Sequence, residues 1–114
     1  MVMMGHVTAT QLDDVPATVS QKLITQILRG DLGFKGVVIT DSLQMGAVSQ
    51  QYDAGTLAVR AVQAGVDMLL EPADFEMAES ALLEAVQNGI VPESRIDESV
   101  QRILEMKIQH SIIK

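Results

Sequence analysis

The chain has 114 residues, 47% hydrophobic and only 3% aromatic, and its 15 Asp+Glu against eight Lys+Arg give a formal charge of −7. That length holds one domain, and the acidic balance leaves no basic stripe for phosphates, which argues against nucleic-acid binding. No cysteine is present, so disulfide scaffolds, zinc–thiolate sites and cysteine nucleophiles are excluded. No apolar run approaches the roughly 20 residues that cross a bilayer. The first residues also lack the positive n-region of a signal peptide.

Taken in chain order, Met1–Met4 is an apolar run expected to form a buried strand ending near Gly5-His6. A polar loop follows, carrying Asp13, Asp14 and Pro16. Ser20 is placed to cap a helix whose Leu23, Ile24, Ile27 and Leu28 share one face, with Gly33 as its left-handed stop. Gly36–Thr40 is a β-branched run predicted to be a buried parallel strand, with Asp41 at its carboxyl end. Residues 42–51 read as a mixed loop, and Ala54–Ala64 as a helix stopped by Gly65. Val66–Leu70 is the next strand. Asp53 and Asp74 read as helix caps, the latter for a helix from Phe75 to Asn88-Gly89. Pro92–Ile96 is expected to be a short helical turn, and Asp97 to cap a last helix with Val100, Ile103, Leu104 and Ile108 on its buried face.

Strands that alternate with helices imply a parallel sheet joined by right-handed crossovers. Two architectures fit: a small doubly wound sheet, or three consecutive units of a (β/α)8 barrel, whose full length is ~250 residues. In both, chemistry gathers at the carboxyl ends of the strands. Three places lie there: Gly5-His6, Thr40-Asp41-Ser42 and Glu71-Pro72. A carboxylate directly after a buried strand needs donors or a cation beside it, so Asp41 is either functional or the cap of the following turn. His6 faces the same mouth or is a hydrogen-bonded structural residue. Ser42 lacks a nucleophile elbow, with His6 its only nearby candidate base. Glu71, Asp74 and Glu76 match no metal-ligand loop, and the glycines form no dinucleotide or phosphate fingerprint. No cofactor or metal is expected.

The segment GVVITDSLQMGAV, residues 36–48, resembles the nucleophile segment of family 3 glycoside hydrolases. It is most similar to the bacterial β-N-acetylhexosaminidase branch, which reads G-V-V-I-T-D-D-L-x-M-x-A-I. VMMGHVTATQLDDVPATVSQKLITQILRGDLGF resembles the preceding strand, loop and helix of that family. AVRAVQAGVDMLLEP and NGIVPESRIDESVQRILEMK are similar to its following helix and strand and to its terminal helices. The resemblance covers nearly the whole chain in the right order. It implies an α/β fold that is a partial (β/α)8 TIM barrel: the last three βα units plus a C-terminal helix, with residues 1–114 forming the C-terminal segment of the catalytic domain.

The same resemblance implies a retaining glycosidase acting on β-linked N-acetylglucosamine of cell-wall-type sugars, with a covalent glycosyl-enzyme intermediate. Asp41 is then the nucleophile, Met45 walls the sugar pocket, and His6 lies near the mouth as a substrate contact. Ser42 stands where many relatives carry a second Asp, and Glu71 where apolar residues are common. The acid/base histidine of that branch lies in a K-H-F-P-G-H-G-like stretch, which does not occur in these 114 residues. The chain is therefore expected to be inactive alone. The alternatives are a segment of a β-glucosidase-type family 3 enzyme, or a non-catalytic module. A receiver-like signalling domain is opposed by the ends of the first and last strands, Gly5-His6 and Glu71-Pro72. Three strands cannot close a barrel, so the open edge is expected to drive self-association. Relatives of this kind are cytoplasmic or exported, and the sequence does not choose between them.

Overall fold

The computed structural model describes residues 1–110, with Ala47 and Ser49 described for the backbone only. Two short parallel strands, β1 (Val2–Met4) and β2 (Val38–Thr40), pair in the register Val2↔Val38, Met3↔Ile39, Met4↔Thr40. The parallel pairing requires a crossover. It runs through a 3₁₀ turn at Ala17–Val19 and a π-wound helix, Lys22–Asp31. Four α-helices complete this small α/β domain: α1 (Gly46–Ser49), α2 (Ala54–Ala64), α3 (Phe75–Gln87) and α4 (Glu93–Gln109).

Helix ends follow the predicted chemistry. Ser20 Oγ accepts the Leu23 N–H at 3.0 Å, Asp53 Oδ1 that of Thr56 at 2.7 Å, and Asp74 Oδ1 that of Met77 at 3.0 Å. Each satisfies one of the orphan donors of a first turn. Gly65 ends α2 at φ 120°, and a Cβ there would lie 2.7 Å from Thr25 Oγ1 and 2.8 Å from Ile24 Cγ2. Only glycine permits both that dihedral and that approach.

Three apolar clusters make the core. Ile24, Val38, Ala61, Ala64 and Val66 fill the space between the sheet, the π-wound helix and α2. Leu43, Val48 and Leu57 seat the loop after β2, while Val62, Ala85 and Val91 join α2 to α3. Leu69 packs against all three.

Four features depart from the sequence reading. First, β1 is only half-buried, with Met1 68% and Met3 54% exposed. Among the described residues it pairs with β2 alone, so its outer edge has no strand beside it. Second, the expected strand 66–70 is reduced to one parallel bridge, Ile39↔Met68. Side chains interrupt its ladder: Thr40 Oγ1 takes the Leu70 N–H at 3.0 Å, and the Asp67 carboxylate takes the Val38 N–H at 3.0 Å. Third, the loop after β2 contains the short helix α1.

The fourth departure concerns the last helix. It is continuous from Glu93, so Asp97 lies within it and caps nothing. Pro92 precedes its first turn, where a missing N–H is harmless, and nothing between Ile96 and Asp97 breaks it. Its expected apolar face is turned outward: Val100, Leu104 and Ile108 are 45–58% exposed. The buried residue is Ser99, flanked on the same face by half-buried Arg95 and Arg102. This helix docks by its polar stripe.

Candidate active site

β2 delivers Asp41 to the carboxyl end of the sheet. The Asp41 N–H donates to Met4 O at 3.0 Å, so β1 holds its backbone one step beyond the strand. Its Oδ1 accepts the Ser42 N–H at 2.8 Å. No partner reaches Oδ2 among the described residues, which leaves lone pairs available on a half-buried carboxylate. The capping alternative fits poorly, because a helix cap bonds an amide two or three residues into the helix. Among the described residues the Asp41 side chain bonds only the Ser42 amide, and α1 begins at Gly46.

The rest of the mouth comes from two flanking loops. The loop after β2 is anchored by buried Leu43, whose N–H donates to Leu70 O at 2.9 Å. Met45 follows, 44% exposed, just before α1. From the loop after β1, His6 Nε2 lies 2.8 Å from Ser42 O, and Nδ1 lies 2.6 Å from Thr18 Oγ1. Both ring nitrogens are therefore used within the protein. Asp41 and His6 meet through Ser42, on its amide and its carbonyl respectively. Ser42 Oγ accepts the Gln44 N–H at 3.3 Å, and His6 bonds the Ser42 carbonyl, so no base is directed at that hydroxyl. Glu71 is exposed, in the left-handed region at φ 48°. No group of His, Asp and Glu suited to a metal ion occurs among the described residues.

At the amino end of β2 sits a second polar cluster that the sequence reading missed. The Asp67 side chain is 0% exposed and meets Arg29 at 2.6 Å, Arg102 at 3.0 Å and Arg95 at 3.8 Å. Ser99 Oγ donates to Asp67 Oδ1 at 2.6 Å, and the Val38 N–H to Oδ2 at 3.0 Å. Arg29 also reaches Gly36 O and Gly65 O, and Arg95 reaches Val62 O and Val66 O. Burial pulls the Arg29 and Arg95 guanidinium groups below their usual values, while the Asp67 charge acts in the opposite direction. The sequence signal was a lone carboxylate inside the apolar run 66–70, together with Arg95, Ser99 and Arg102 at spacings that share one helix face. The amino end of a barrel-type sheet is where stability resides, and the carboxyl end is where chemistry does.

Asp41 thus stands just past the carboxyl end of a parallel strand, the place where α/β folds gather their chemistry. The profile of the glycosyl hydrolase family 3 N terminal domain matches residues 1–106, and the chain belongs to that family. It is 38% identical over 105 residues to a lysosomal beta glucosidase of Dictyostelium discoideum, covering 89% of this chain and 13% of that protein. It is 37% identical over 95 residues to a beta-hexosaminidase of Pseudomonas aeruginosa, covering 83% of this chain and 29% of the other. Among solved structures, the family 3 beta-N-acetylglucosaminidase of a Paenibacillus species superposes with a TM-score of 0.82 at 44% identity, over 88% of this chain and 20% of that one. The beta-N-acetylglucosaminidase of Thermotoga maritima gives a TM-score of 0.85 at 30% identity, over 91% and 24%. The chain thus spans less than a third of the length of these relatives.

Proposed function

We propose that residues 1–114 form the nucleophile-bearing end of a retaining β-N-acetylglucosaminidase, as the last three βα units of a (β/α)8 barrel with their C-terminal helix. Asp41 is the observation that carries this reading. Its backbone is fixed by β1, one carboxylate oxygen is held by Ser42, and the other meets no partner among the described residues at the carboxyl end of β2. In the reaction Asp41 Oδ2 attacks the anomeric carbon and forms a glycosyl ester as the glycosidic C–O bond breaks. The leaving oxygen takes a proton from a general acid, and water then cleaves the ester. Met45 walls the sugar site, and His6 lies beside the nucleophile loop through its bond to the Ser42 carbonyl.

The general acid is not supplied by this stretch of chain. His6 has both ring nitrogens engaged, and His110 follows α4, far along the chain from the strand ends. The 114 residues alone should therefore leave a chromogenic N-acetylglucosaminide unhydrolysed. Turnover by this chain that Asp41→Ala abolishes would overturn that expectation. In a longer protein that carries this segment and an acid/base loop, Asp41→Ala should lower kcat by several orders of magnitude. Near-normal turnover there would reject Asp41 as nucleophile. The likeness to a beta glucosidase at 38% identity supports a second reading, a β-glucoside substrate. Comparing glucoside and N-acetylglucosaminide turnover decides between them. A non-catalytic self-associating module is the reading left if neither sugar is turned over by the longer protein.

Self-association through the open edge of β1 belongs to the same proposal. The outer edge of β1, unpaired among the described residues, and the exposed Met1 and Met3 beside it support it, since such an edge is a template for another strand.

A further inference from the structure

We infer that His6 is a positioning residue for Asp41, acting through both ends of Ser42 rather than on substrate; its catalytic meaning rests on the proposed role of Asp41. A carbonyl oxygen can only accept, so the 2.8 Å contact between His6 Nε2 and Ser42 O requires the proton on Nε2. In the neutral ring, Nδ1 is then an acceptor, and the Thr18 hydroxyl 2.6 Å away supplies its proton. Thr18 itself is 0% exposed, and its oxygen also lies 3.3 Å from Gly5 O. If the ring gains a second proton, Nδ1 donates to Thr18 Oγ1 and the hydroxyl turns to the Gly5 carbonyl. The bond to Ser42 is kept in both states.

Ser42 is thereby held at two points. His6 fixes its carbonyl, and its N–H fixes Asp41 Oδ1 at 2.8 Å. With Asp41 N–H on Met4 O at 3.0 Å, the carboxylate has its backbone tied to β1 and its rotamer tied to Ser42. The rotamer that engages Oδ1 leaves Oδ2 as the oxygen able to attack. Catalytic groups work only when held near the productive geometry, and a strand-end loop without this strut would let the carboxylate turn. The buried Thr18 is the fixed post of the strut, 12 residues from His6 in sequence.

The test is nuclear magnetic resonance on the isotope-labelled 114-residue chain. Ring nitrogen shifts of the neutral wild-type imidazole should report the proton on Nε2, and a proton on Nδ1 would overturn the inference. The Ser42 amide proton should follow the ionisation of the Asp41 carboxylate it bonds. In His6→Leu that response should be lost and Ser42 amide protection should fall about tenfold, near the most that one neutral hydrogen bond contributes. His6→Gln keeps a donor near the Nε2 position and should restore both within about threefold. Unchanged Ser42 protection and Asp41 response in His6→Leu, with α3 amides as in wild type, would refute the strut. If His6→Leu loses its fold, the wild-type tautomer and His6→Gln still decide. The strut surviving while Asp41→Ala leaves the longer enzyme active would remove the nucleophile reading and not this one.

Discussion

Replacing Asp67 with alanine should be among the most damaging single changes in this chain. The carboxylate is 0% exposed and faces Arg29 and Arg102 at 2.6 and 3.0 Å, with Arg95 at 3.8 Å. Its loss strands guanidinium groups that are only 11–21% exposed. It also orphans the Val38 N–H and leaves Ser99 Oγ without its acceptor. Removing one partner of a buried ion pair costs about 3–5 kcal/mol, and an orphaned buried amide about 1–3 kcal/mol. These overlap, because Arg29 keeps its carbonyl partners Gly36 and Gly65, and Arg95 keeps Val62 and Val66. A loss of about 4 kcal/mol is therefore expected, a large part of the roughly 5–15 kcal/mol that holds a domain folded. Urea denaturation followed by far-ultraviolet circular dichroism measures it. With a slope of about 1.5 kcal/mol per molar urea, the midpoint should fall by about 2.5 M. A loss below about 1 kcal/mol would show that the cluster is solvated and that α4 is held by something other than Asp67.

Gly65→Ala should destabilise by at least about 1 kcal/mol, because φ is 120° and the new methyl would meet Thr25 and Ile24; a neutral urea midpoint would contradict the left-handed stop. Acid should weaken the fold through Asp53 and Asp13. Thr56 amide bonding holds the Asp53 carboxyl below its usual value, and the Ser20 hydroxyl does the same for Asp13. Folded-state values that are depressed give stability that is present above the unfolded carboxylate value of about 3.9 and lost as pH falls through the folded value. Asp53→Ala should flatten part of that slope in urea midpoints measured between pH 2 and 6, and an unchanged slope would refute the assignment. If the edge of β1 drives association, sedimentation should show a dimer or higher species that Met3→Lys shifts toward monomer. A monomer across the whole accessible concentration range would remove the proposal.

Much of the local structure follows from short-range chemistry. Ser20, Asp53 and Asp74 are capping residues at the starts of apolar periods, and Gly33 and Gly65 are the left-handed stops. Such signals act within one turn, so they are legible without the fold. The strand-end location of Asp41 is legible too, because a β-branched run followed by a carboxylate specifies both the strand and where it ends. What the residues facing one another do is a different matter. Asp67 reads in the sequence only as one residue of the expected strand 66–70, whereas tertiary contact brings Arg29, Arg95 and Arg102 around it from helices 28 to 38 positions away. That cluster turned the last helix onto its polar face and left Val100, Leu104 and Ile108 outside, against the amphipathic reading. His6 was legible as a residue at the mouth, but only the fold joins it to Thr18 and Ser42. The sequence determined the helix caps and stops, the two strands and the candidate carboxylate, because each is written within a few residues. The tertiary structure alone decided which polar groups share a proton or a charge, because those pairings depend on distances that the chain closes only when folded.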